Sequence, residues 1–287
     1  RSAYGDTARI GASDGFAPRE PASHPVHLSS VAYNSLFLGE LGVADWDMFQ
    51  SAHPDAAVHA AARAVGGCPV YVSDKPGDHS FELLRKLVLP DGSVLRCQHA
   101  GRPTRDCLFS DPNPDGTSAL KIFNVNRGPT AVVAAFNLQG ARWDRRVRAF
   151  VGDASAAPPV TAVLRPSDIE GAWAASEGAE VAFYGHRSRR IELVAATATY
   201  DGEGAAVTRE LAAKEWEIFT AAPVRQRTGV RWAAFGLVEM LNGGGAVVSS
   251  KMRRTVQIGT VCRAYARLSA AGDFAALCSI EPTVVYA

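Results

Sequence analysis

The pentapeptide Asp45-Trp46-Asp47-Met48-Phe49 places two carboxylates around an indole, where an apolar segment at residues 36–43 ends. Carboxylates at positions i and i+2 of an extended segment share one face. There they can accept hydrogen bonds from sugar hydroxyls, while a nearby aromatic ring covers the apolar C–H face of the sugar. The alternative is an N-cap Asp beside a core Trp, because Asp often caps helices. The motif alone leaves both interpretations open.

The sequence around this motif alternates strands and helices. An Ala-rich segment at residues 55–65 predicts a helix that ends at Gly66-Gly67, and the apolar run 69–73 predicts a strand that ends on Asp74. Upstream, residues 8–13 end on Asp14, and a helix-like segment at 26–41 follows a Pro-rich turn. We therefore expect about three β-α units with an acidic group at each strand end. That pattern is typical of a (β/α)8 barrel.

After Pro90-Asp91-Gly92 the pattern becomes all-β, with Gly, Pro and Asn turns between the segments. Strands are predicted at residues 119–126, 130–138, 160–164, 181–184, 191–194, 215–220, 230–241, 247–250 and 256–260. Their spacing predicts a C-terminal antiparallel β-sandwich. We place the domains at residues 1–92 for the barrel part and 93–287 for the sandwich. Residues 138–160 and 197–215 lose the pattern and are predicted loops.

Composition limits the partners. The chain of 287 residues carries a formal charge of +1, which argues against a nucleic-acid partner. Its basic clusters, at residues 142–148, 186–190 and 251–254, lie at predicted turns, so we expect solvated surface there. No apolar run is long enough to span a bilayer, and no membrane partner is expected. The sequence does not determine an oligomeric state.

The five cysteines form no Cys-x-x-Cys pair, which suits reduced thiols in the cytoplasm or a plastid stroma. Neither a metal nor another cofactor is expected. His24-Pro25-Val26-His27 lacks a third zinc ligand at a suggestive interval, and the glycine-rich stretch at 242–245 is typical of a hairpin turn. Four further tryptophans are expected in the core or in sandwich packing: Trp143, Trp173, Trp216 and Trp232.

Seven stretches carry a resemblance to a known family. They are Ser13-Asp14-Gly15-Phe16, Pro18-Arg19-Glu20-Pro21-Ala22-Ser23-His24, Ser30-Val31-Ala32-Tyr33-Asn34-Ser35, Asp45-Trp46-Asp47-Met48-Phe49, Pro69-Val70-Tyr71-Val72-Ser73-Asp74, Lys86-Leu87-Val88-Leu89-Pro90-Asp91-Gly92-Ser93 and Gly101-Arg102-Pro103-Thr104-Arg105-Asp106-Cys107-Leu108-Phe109. The chain resembles plant raffinose synthases, seed imbibition proteins and alkaline α-galactosidases, which belong to family thirty-six of the glycoside hydrolases. The resemblance is dense from about residue 9 to 140 and sparser afterwards.

The resemblance implies that residues 1–92 are the C-terminal part of a (β/α)8 barrel, followed by the sandwich. It also implies a retaining mechanism with one carboxylate as nucleophile and one as acid/base. It assigns the acid/base to Asp14, although Gly15 and Gly11 stand where these relatives usually carry Asp and Arg. Asp14 as a helix or turn cap is the alternative. The family's nucleophile lies in a Lys-x-Asp motif, and none precedes Asp14. Asp45, Trp46, Asp47 and Asp74 are expected to bind substrate.

Two functions of different classes therefore remain. The first is α-galactosyl transfer or hydrolysis on small sugars such as galactinol, sucrose and raffinose. The short link after Phe16 favours the seed imbibition or alkaline α-galactosidase branch. The second is a non-catalytic remnant or pseudo-enzyme that folds as a β-sandwich with an attached barrel fragment. We expect the chain alone to be inactive, and residues 93–287 alone to be soluble because a sandwich closes its own core.

Overall fold

The computed structural model describes residues 19–172, 180–197, 206–257 and 259–279. Its first part is helical. Helix α1 (Ser23–Leu38) buries one side, which includes Leu28, Val31 and Ala32. It begins three residues earlier than the predicted segment, since Pro25 fits the first turn of a helix, and it ends at Gly39.

Helix α2 (Ala56–Gly66) confirms the helix that the Ala-rich segment predicts. It is buried on nearly all sides because its small side chains let neighbouring elements approach closely. The helix ends at Gly67, which has a positive φ of 67°. A Cβ there would lie 2.3 Å from the main-chain oxygen of His99, so only glycine fits. The single-turn helix α3 (Phe81–Leu84) follows.

The segments on either side of α2 meet in a parallel arrangement. Phe49 and Val72 form a parallel β-bridge, and the amide of Ser73 donates to the main-chain oxygen of Phe49 at 2.9 Å. The full strand predicted at residues 69–73 is reduced to this bridge, so one β-α-β connection is visible among the described residues. The predicted strand at residues 8–13 lies outside them.

Fifteen strands follow within the described ranges, and they pair with one another in antiparallel fashion. They are β1 (Arg102–Pro103), β2 (Leu120–Val125), β3 (Ala131–Phe136), β4 (Ala141–Asp144), β5 (Ala149–Gly152), β6 (Val160–Leu164), β7 (Glu180–Gly185), β8 (Ile191–Ala195), β9 (Val207–Leu211), β10 (Trp216–Pro223), β11 (Arg225–Arg227), β12 (Val230–Leu237), β13 (Val247–Gln257), β14 (Gly259–Leu268) and β15 (Phe274–Cys278). The main sheet has the order β1-β2-β3-β10-β7-β8. The prediction of a mostly antiparallel C-terminal part is confirmed.

Some predictions for this part were wrong. The hairpin β4–β5 and strand β9 lie within the two predicted loops. The hairpin is mostly exposed, so its sequence lacks the alternation that burial on one face imposes. The glycine-rich stretch forms a buried 3₁₀ turn (Gly243–Ala246) and not a hairpin turn, because β12 and β13 belong to different sheets.

The tryptophans also differ from expectation in one case. Trp143 on β4 is 46% exposed and meets Phe150 edge to face, so it is not a core residue. Trp232 is buried and Trp216 packs at the edge of the core, as expected. Trp173 lies outside the described residues.

The main sheet is covered on both faces. One face, which includes Ile122, Phe136 and Ile218, packs with α1 and α2 in a single core. The other face, which includes Phe123, Val133 and Phe219, packs with β6 and β9. Residues 93–287 therefore close a core of their own on the face covered by β6 and β9, whereas the other face of the sheet is covered by α1 and α2, which precede residue 93. None of the helices in the described ranges has the length and apolarity needed to cross a bilayer.

Candidate functional site

The loop at residues 45–48 presents two carboxylates from a fixed backbone. Asp45 is partly buried, and the hydroxyl of Tyr71 lies 2.7 and 2.8 Å from its two carboxylate oxygens. The amide of Asp47 donates to Asp45 Oδ1 at 2.9 Å. Because both donors come from fixed positions, the Asp45 carboxylate has one defined orientation, which is what specific recognition of a hydroxyl group requires.

Asp47 has an unusual backbone conformation. Its φ is 59°, in the left-handed region that non-glycine residues adopt rarely and that Asp and Asn tolerate best. Its own Oδ1 accepts from the amide of Met48 at 2.7 Å. Asp47 is partly buried and Met48 is exposed, so the turn lies at the protein surface. Strained backbone of this kind is often found at ligand sites, which makes Asp47 a candidate contact residue.

Trp46 does not lie where a sugar platform would. Its side chain has 0% exposure and packs in the core shared by the helices and the main sheet. Gly66 leaves room for the indole, since a Cβ at that position would lie 3.0 Å from ring atoms of Trp46. The prediction of a direct sugar contact by Trp46 is therefore corrected, because a fully covered ring cannot stack on a ligand. The indole anchors the loop between the two carboxylates.

Asp74 is also used by the protein itself. Its side chain is 2% exposed. Oδ1 accepts from the amide of Ser51 at 2.6 Å, and Oδ2 accepts from the Ser51 hydroxyl at 2.5 Å and lies 3.0 Å from His79 Nδ1. Burial alone would raise the pKa of Asp74, but the hydrogen bonds from Ser51 and His79 outweigh it and lower that pKa. We correct its predicted substrate contact to a structural role that joins two loops.

On the buried side of the loop at residues 45–48, the main-chain oxygens of Trp46 and Asp47 accept hydrogen bonds from the guanidinium of Arg63. Arg63 Nη2 lies 2.5 Å from the Trp46 oxygen and 2.9 Å from the Asp47 oxygen, and Nε lies 3.2 Å from the latter. His27 Nε2 contacts the same Trp46 oxygen at 3.1 Å. Burial, followed by the charge of Arg63, lowers the pKa of His27 to about 3, so His27 is neutral and donates through Nε2.

Donor atoms of His24, His53 and Asp55 come within 4.8 Å of one another, which supplies the third ligand that the sequence did not reveal. These donors already have protein partners. His24 Nδ1 lies 2.7 Å from His59 Nε2, His53 Nδ1 accepts from the amide of Asp55, and Asp55 forms an ion pair with Lys214 at 2.8 Å.

The two rings of His24 and His53 stack with an angle of 15° between their planes. Nitrogen lone pairs lie in the ring plane, so those of stacked rings do not converge on one ion at the 2.0–2.1 Å that zinc requires. The cluster is therefore a packed polar contact between the helices and the strand region, and the residues present do not fit a metal ion.

The predicted acid/base Asp14 lies outside the described residues. Of the other candidates, the structure brings Asp45 and Asp47 together on one loop and places Trp46 and Asp74 in supporting positions. The sequence motifs do not predict a role for Arg63, Tyr71 or His27. One signal was available for Arg63, because a charged residue interrupts the Ala-rich α2, in which His59 is the other polar residue. Nothing in the local sequence links Tyr71 to Asp45, which lies 26 residues earlier.

Comparisons with known proteins identify relatives of the chain. Residues 2–286 match the family model described as raffinose synthase or seed imbibition protein Sip1. The chain is 49% identical over 253 residues to "Probable galactinol--sucrose galactosyltransferase 1" of Arabidopsis thaliana. The aligned region covers 85% of this chain and 32% of the relative. It is 41% identical over 286 residues to "Galactinol--sucrose galactosyltransferase" of Oryza sativa subsp. japonica. Here the aligned region covers 96% of this chain and 35% of the relative. The chain thus spans about a third of the length of these relatives.

Proposed function

This chain belongs to the family of raffinose synthases and seed imbibition proteins, and we propose that it is part of an enzyme that transfers or hydrolyses α-galactosyl groups. The substrates are galactinol, sucrose and raffinose-type sugars. The names of the relatives support transfer from galactinol to sucrose. The structural observation that carries the proposal is the loop at residues 45–48, on which the Asp45 carboxylate is oriented and Asp47 is held in a left-handed turn.

The loop would bind the galactosyl side of the substrate. Sugar hydroxyls both donate and accept hydrogen bonds, and a fixed carboxylate can accept two of them at well-defined angles. Charge-assisted hydrogen bonds of this kind are about twice as strong as neutral ones. A carboxylate that needs no reorientation on binding loses less side-chain entropy. Asp45 and Asp47 are thus the substrate-binding residues in this proposal.

The chemistry would follow the retaining scheme, in which a carboxylate nucleophile forms a glycosyl-enzyme and a second carboxyl group acts first as acid and then as base. The two carboxyl groups lie about 5–5.5 Å apart in such enzymes. Asp14 would protonate the leaving sugar oxygen and later activate the acceptor hydroxyl or water. The nucleophile would come from the part of the enzyme that the relatives possess beyond the matched third.

We also propose that residues 1–92 are the C-terminal part of a (β/α)8 barrel and residues 93–287 a β-sandwich. The parallel bridge between Phe49 and Val72 across α2 supports a barrel origin for the first part. The antiparallel sheets support the second. The four cysteines whose side chains the structure describes are free thiols, three of them buried, which supports a reducing compartment such as the cytoplasm.

The test compares full-length protein with its Asp14→Asn variant, on an aryl α-galactoside and on galactinol with sucrose. We expect Asp14→Asn to lower turnover of galactinol by about 10²–10⁴-fold, the usual contribution of a positioned proton donor. Azide should restore part of the activity on the aryl substrate. Residues 1–287 alone should give no turnover, because they would lack the nucleophile. Absence of turnover in the full-length protein would favour the non-catalytic alternative, and an unchanged Asp14→Asn variant would remove Asp14 from the mechanism.

A further inference from the structure

The hydrogen bonds of Arg63 suggest a role that the sugar-binding loop does not reveal by itself. The guanidinium has five N–H donors. Three contacts go to the main-chain oxygens of Trp46 and Asp47, and Nη1 contacts the main-chain oxygen of His59 at 3.0 Å and its Nδ1 at 3.1 Å. Every donor therefore has an acceptor, and more than half of the contacts go to the loop that carries the two carboxylates.

The burial of Arg63 carries a free-energy cost, because its positive charge is removed from water. The residue is 1% exposed, and the ion pairs among the described residues do not include it. Its guanidinium also lies 4.8 Å from the centre of the Phe49 ring. Taking a cation out of water without a paired carboxylate costs roughly several kcal/mol. An apolar side chain would avoid that cost but would remove the donors that Arg63 supplies to the main-chain oxygens of Trp46 and Asp47. The arginine at this position is therefore explained by the loop that it binds.

The loop above Arg63 needs such a restraint. The φ of 59° at Asp47 disfavours the observed turn, by roughly 1–2 kcal/mol for a residue with a Cβ. Two carbonyl groups in succession point into the protein and need buried donors. The planar guanidinium reaches both oxygens from one side, which fixes the direction of the intervening peptide. A lysine could not reproduce this geometry, since its ammonium is a single point donor.

We propose that Arg63 is a positioning residue for the substrate-binding loop, which it holds in the conformation that presents the Asp47 side chain. The inference rests on the proposed function, because the loop must bind substrate for its geometry to affect turnover. Arg63 touches no reacting atom and acts through Asp47. A displacement of about 1 Å in a binding group can cost about 10²-fold in rate, so the effect is measurable.

The experiment is a double-mutant cycle in the full-length protein with Arg63→Met, Asp47→Asn and the combined variant. We expect Arg63→Met to lower kcat/KM for an aryl α-galactoside at least about tenfold in the wild-type background, and less than about threefold when Asp47 is already Asn. Arg63→Lys keeps the charge but loses the planar group, so its kcat/KM should lie between those of the wild type and Arg63→Met. The proposal would be overturned if the losses of kcat/KM in Arg63→Met and Asp47→Asn were additive, or if Arg63→Lys were fully active.

The matched control is Arg96→Met. Arg96 also donates to a main-chain oxygen, that of Gly67 at 3.0 Å, at the end of the same helix, but it does not contact the loop. We expect its kcat/KM to stay within about twofold of wild type. If Arg63→Met does not fold, the cycle is run with Arg63→Lys.

A second measurement does not depend on turnover. Hydrogen exchange at the amides of Asp47 and Met48, which donate to carboxylates within the loop, should accelerate in Arg63→Lys and not in Arg96→Met. Unchanged exchange overturns the proposal even if the full-length protein has no activity. An inactive wild-type protein with accelerated exchange in Arg63→Lys would overturn the proposed function alone.

Discussion

The hydroxyl of Tyr71 lies 2.7 and 2.8 Å from the two carboxylate oxygens of Asp45 and donates its hydrogen to that carboxylate. The two residues flank α2 in the sequence and are brought together by the parallel bridge between Phe49 and Val72. A carboxylate that a phenol holds in place is oriented before substrate arrives. The contact therefore ties the geometry of the candidate site to the packing of the β-α-β connection.

We predict that Tyr71→Phe lowers kcat/KM for an α-galactoside by about tenfold, since a hydrogen bond to a charged group contributes about 1.5–3 kcal/mol. The control is Tyr33→Phe. The Tyr33 hydroxyl donates to the main-chain oxygens of Cys107 and Ser110, away from the loop. That variant should lose some thermal stability and keep its kcat/KM. Equal losses of activity in both variants would contradict an orienting role for Tyr71.

Asp47→Asn should separate the effect of Asp47 on substrate binding from its effect on stability. Asn tolerates the left-handed backbone nearly as well as Asp, so the melting temperature should change little. The loss of the charge should lower kcat/KM by about 10²-fold. Asp47→Ala should lose activity and also about 1 kcal/mol of stability, because Ala is disfavoured at a φ of 59°. Asp78→Asn, at an exposed position of a later loop, is the control. A fully active Asp47→Asn variant would show that the carboxylate does not bind substrate.

A buried ion cluster in the sheet region should contribute strongly to the free energy of unfolding of the protein. Lys121 Nζ lies 2.6 Å from Asp106 and 2.8 Å from Asp168, and the side chains of Lys121 and Asp168 are 3% and 4% exposed. Lys121→Met leaves Asp168 buried without its cation and should lower the free energy of unfolding by about 3–5 kcal/mol. Adding Asp168→Leu should restore part of the loss. Urea unfolding measures both changes, and a double variant no more stable than Lys121→Met would contradict the electrostatic explanation.

The buried histidines predict a loss of stability in acid. Burial, then the charge of Arg63, lowers the pKa of His27 to about 3, and the same causes lower the pKa of His59. Burial, then Arg189, lowers the pKa of His186 to about 4. Below their ordinary value of 6.5 the unfolded chain binds protons that the folded chain excludes. The free energy of unfolding should therefore fall between pH 6.5 and about 4, by up to about 1.4 kcal/mol per pH unit for each histidine.

The measurement is urea unfolding at several pH values across this window for the wild type, His27→Gln and His99→Gln. His27→Gln keeps an N–H donor for the Trp46 oxygen and removes one titrating group, so its stability should depend less steeply on pH. His99 is exposed and serves as the control. The same slope in His27→Gln and the wild type would show that His27 is not a source of the pH dependence.

Residues 93–287 expressed without the preceding segment should be poorly soluble. The sheet face that includes Ile122, Phe136 and Ile218 packs against α1 and α2 and would be exposed to water. We expect binding of a hydrophobic dye and aggregation on size-exclusion chromatography. Replacing Ile122 by Thr in the same fragment should reduce both effects. A monomeric fragment with a cooperative melting transition would show that the sheet does not need the helices.

Sequence patterns predicted the local elements well where burial imposes a period. The Ala-rich segment before Gly66-Gly67 predicts α2, and the alternation around Val160–Leu164 predicts β6 at the observed bounds. The hairpin β4–β5 was missed because it is mostly exposed and leaves no period to detect. Strand β9 does alternate in burial, but its middle inward position is Arg209, which breaks the apolar pattern in the sequence. The carboxylate–indole motif and the family resemblance both predict a substrate site at residues 45–47, but neither distinguishes residues that face solvent from residues that support them.

The sequence by itself determined the family, the α/β beginning, the antiparallel remainder and the pair of carboxylates around Trp46. Only the tertiary structure decided that Trp46 and Asp74 are covered, that Tyr71 orients Asp45, and that Arg63 holds the turn at Asp47. The reason is physical. Periodicity and turn chemistry act over a few neighbouring residues, whereas exposure and hydrogen-bond partners depend on how α2 brings distant segments together over the main sheet.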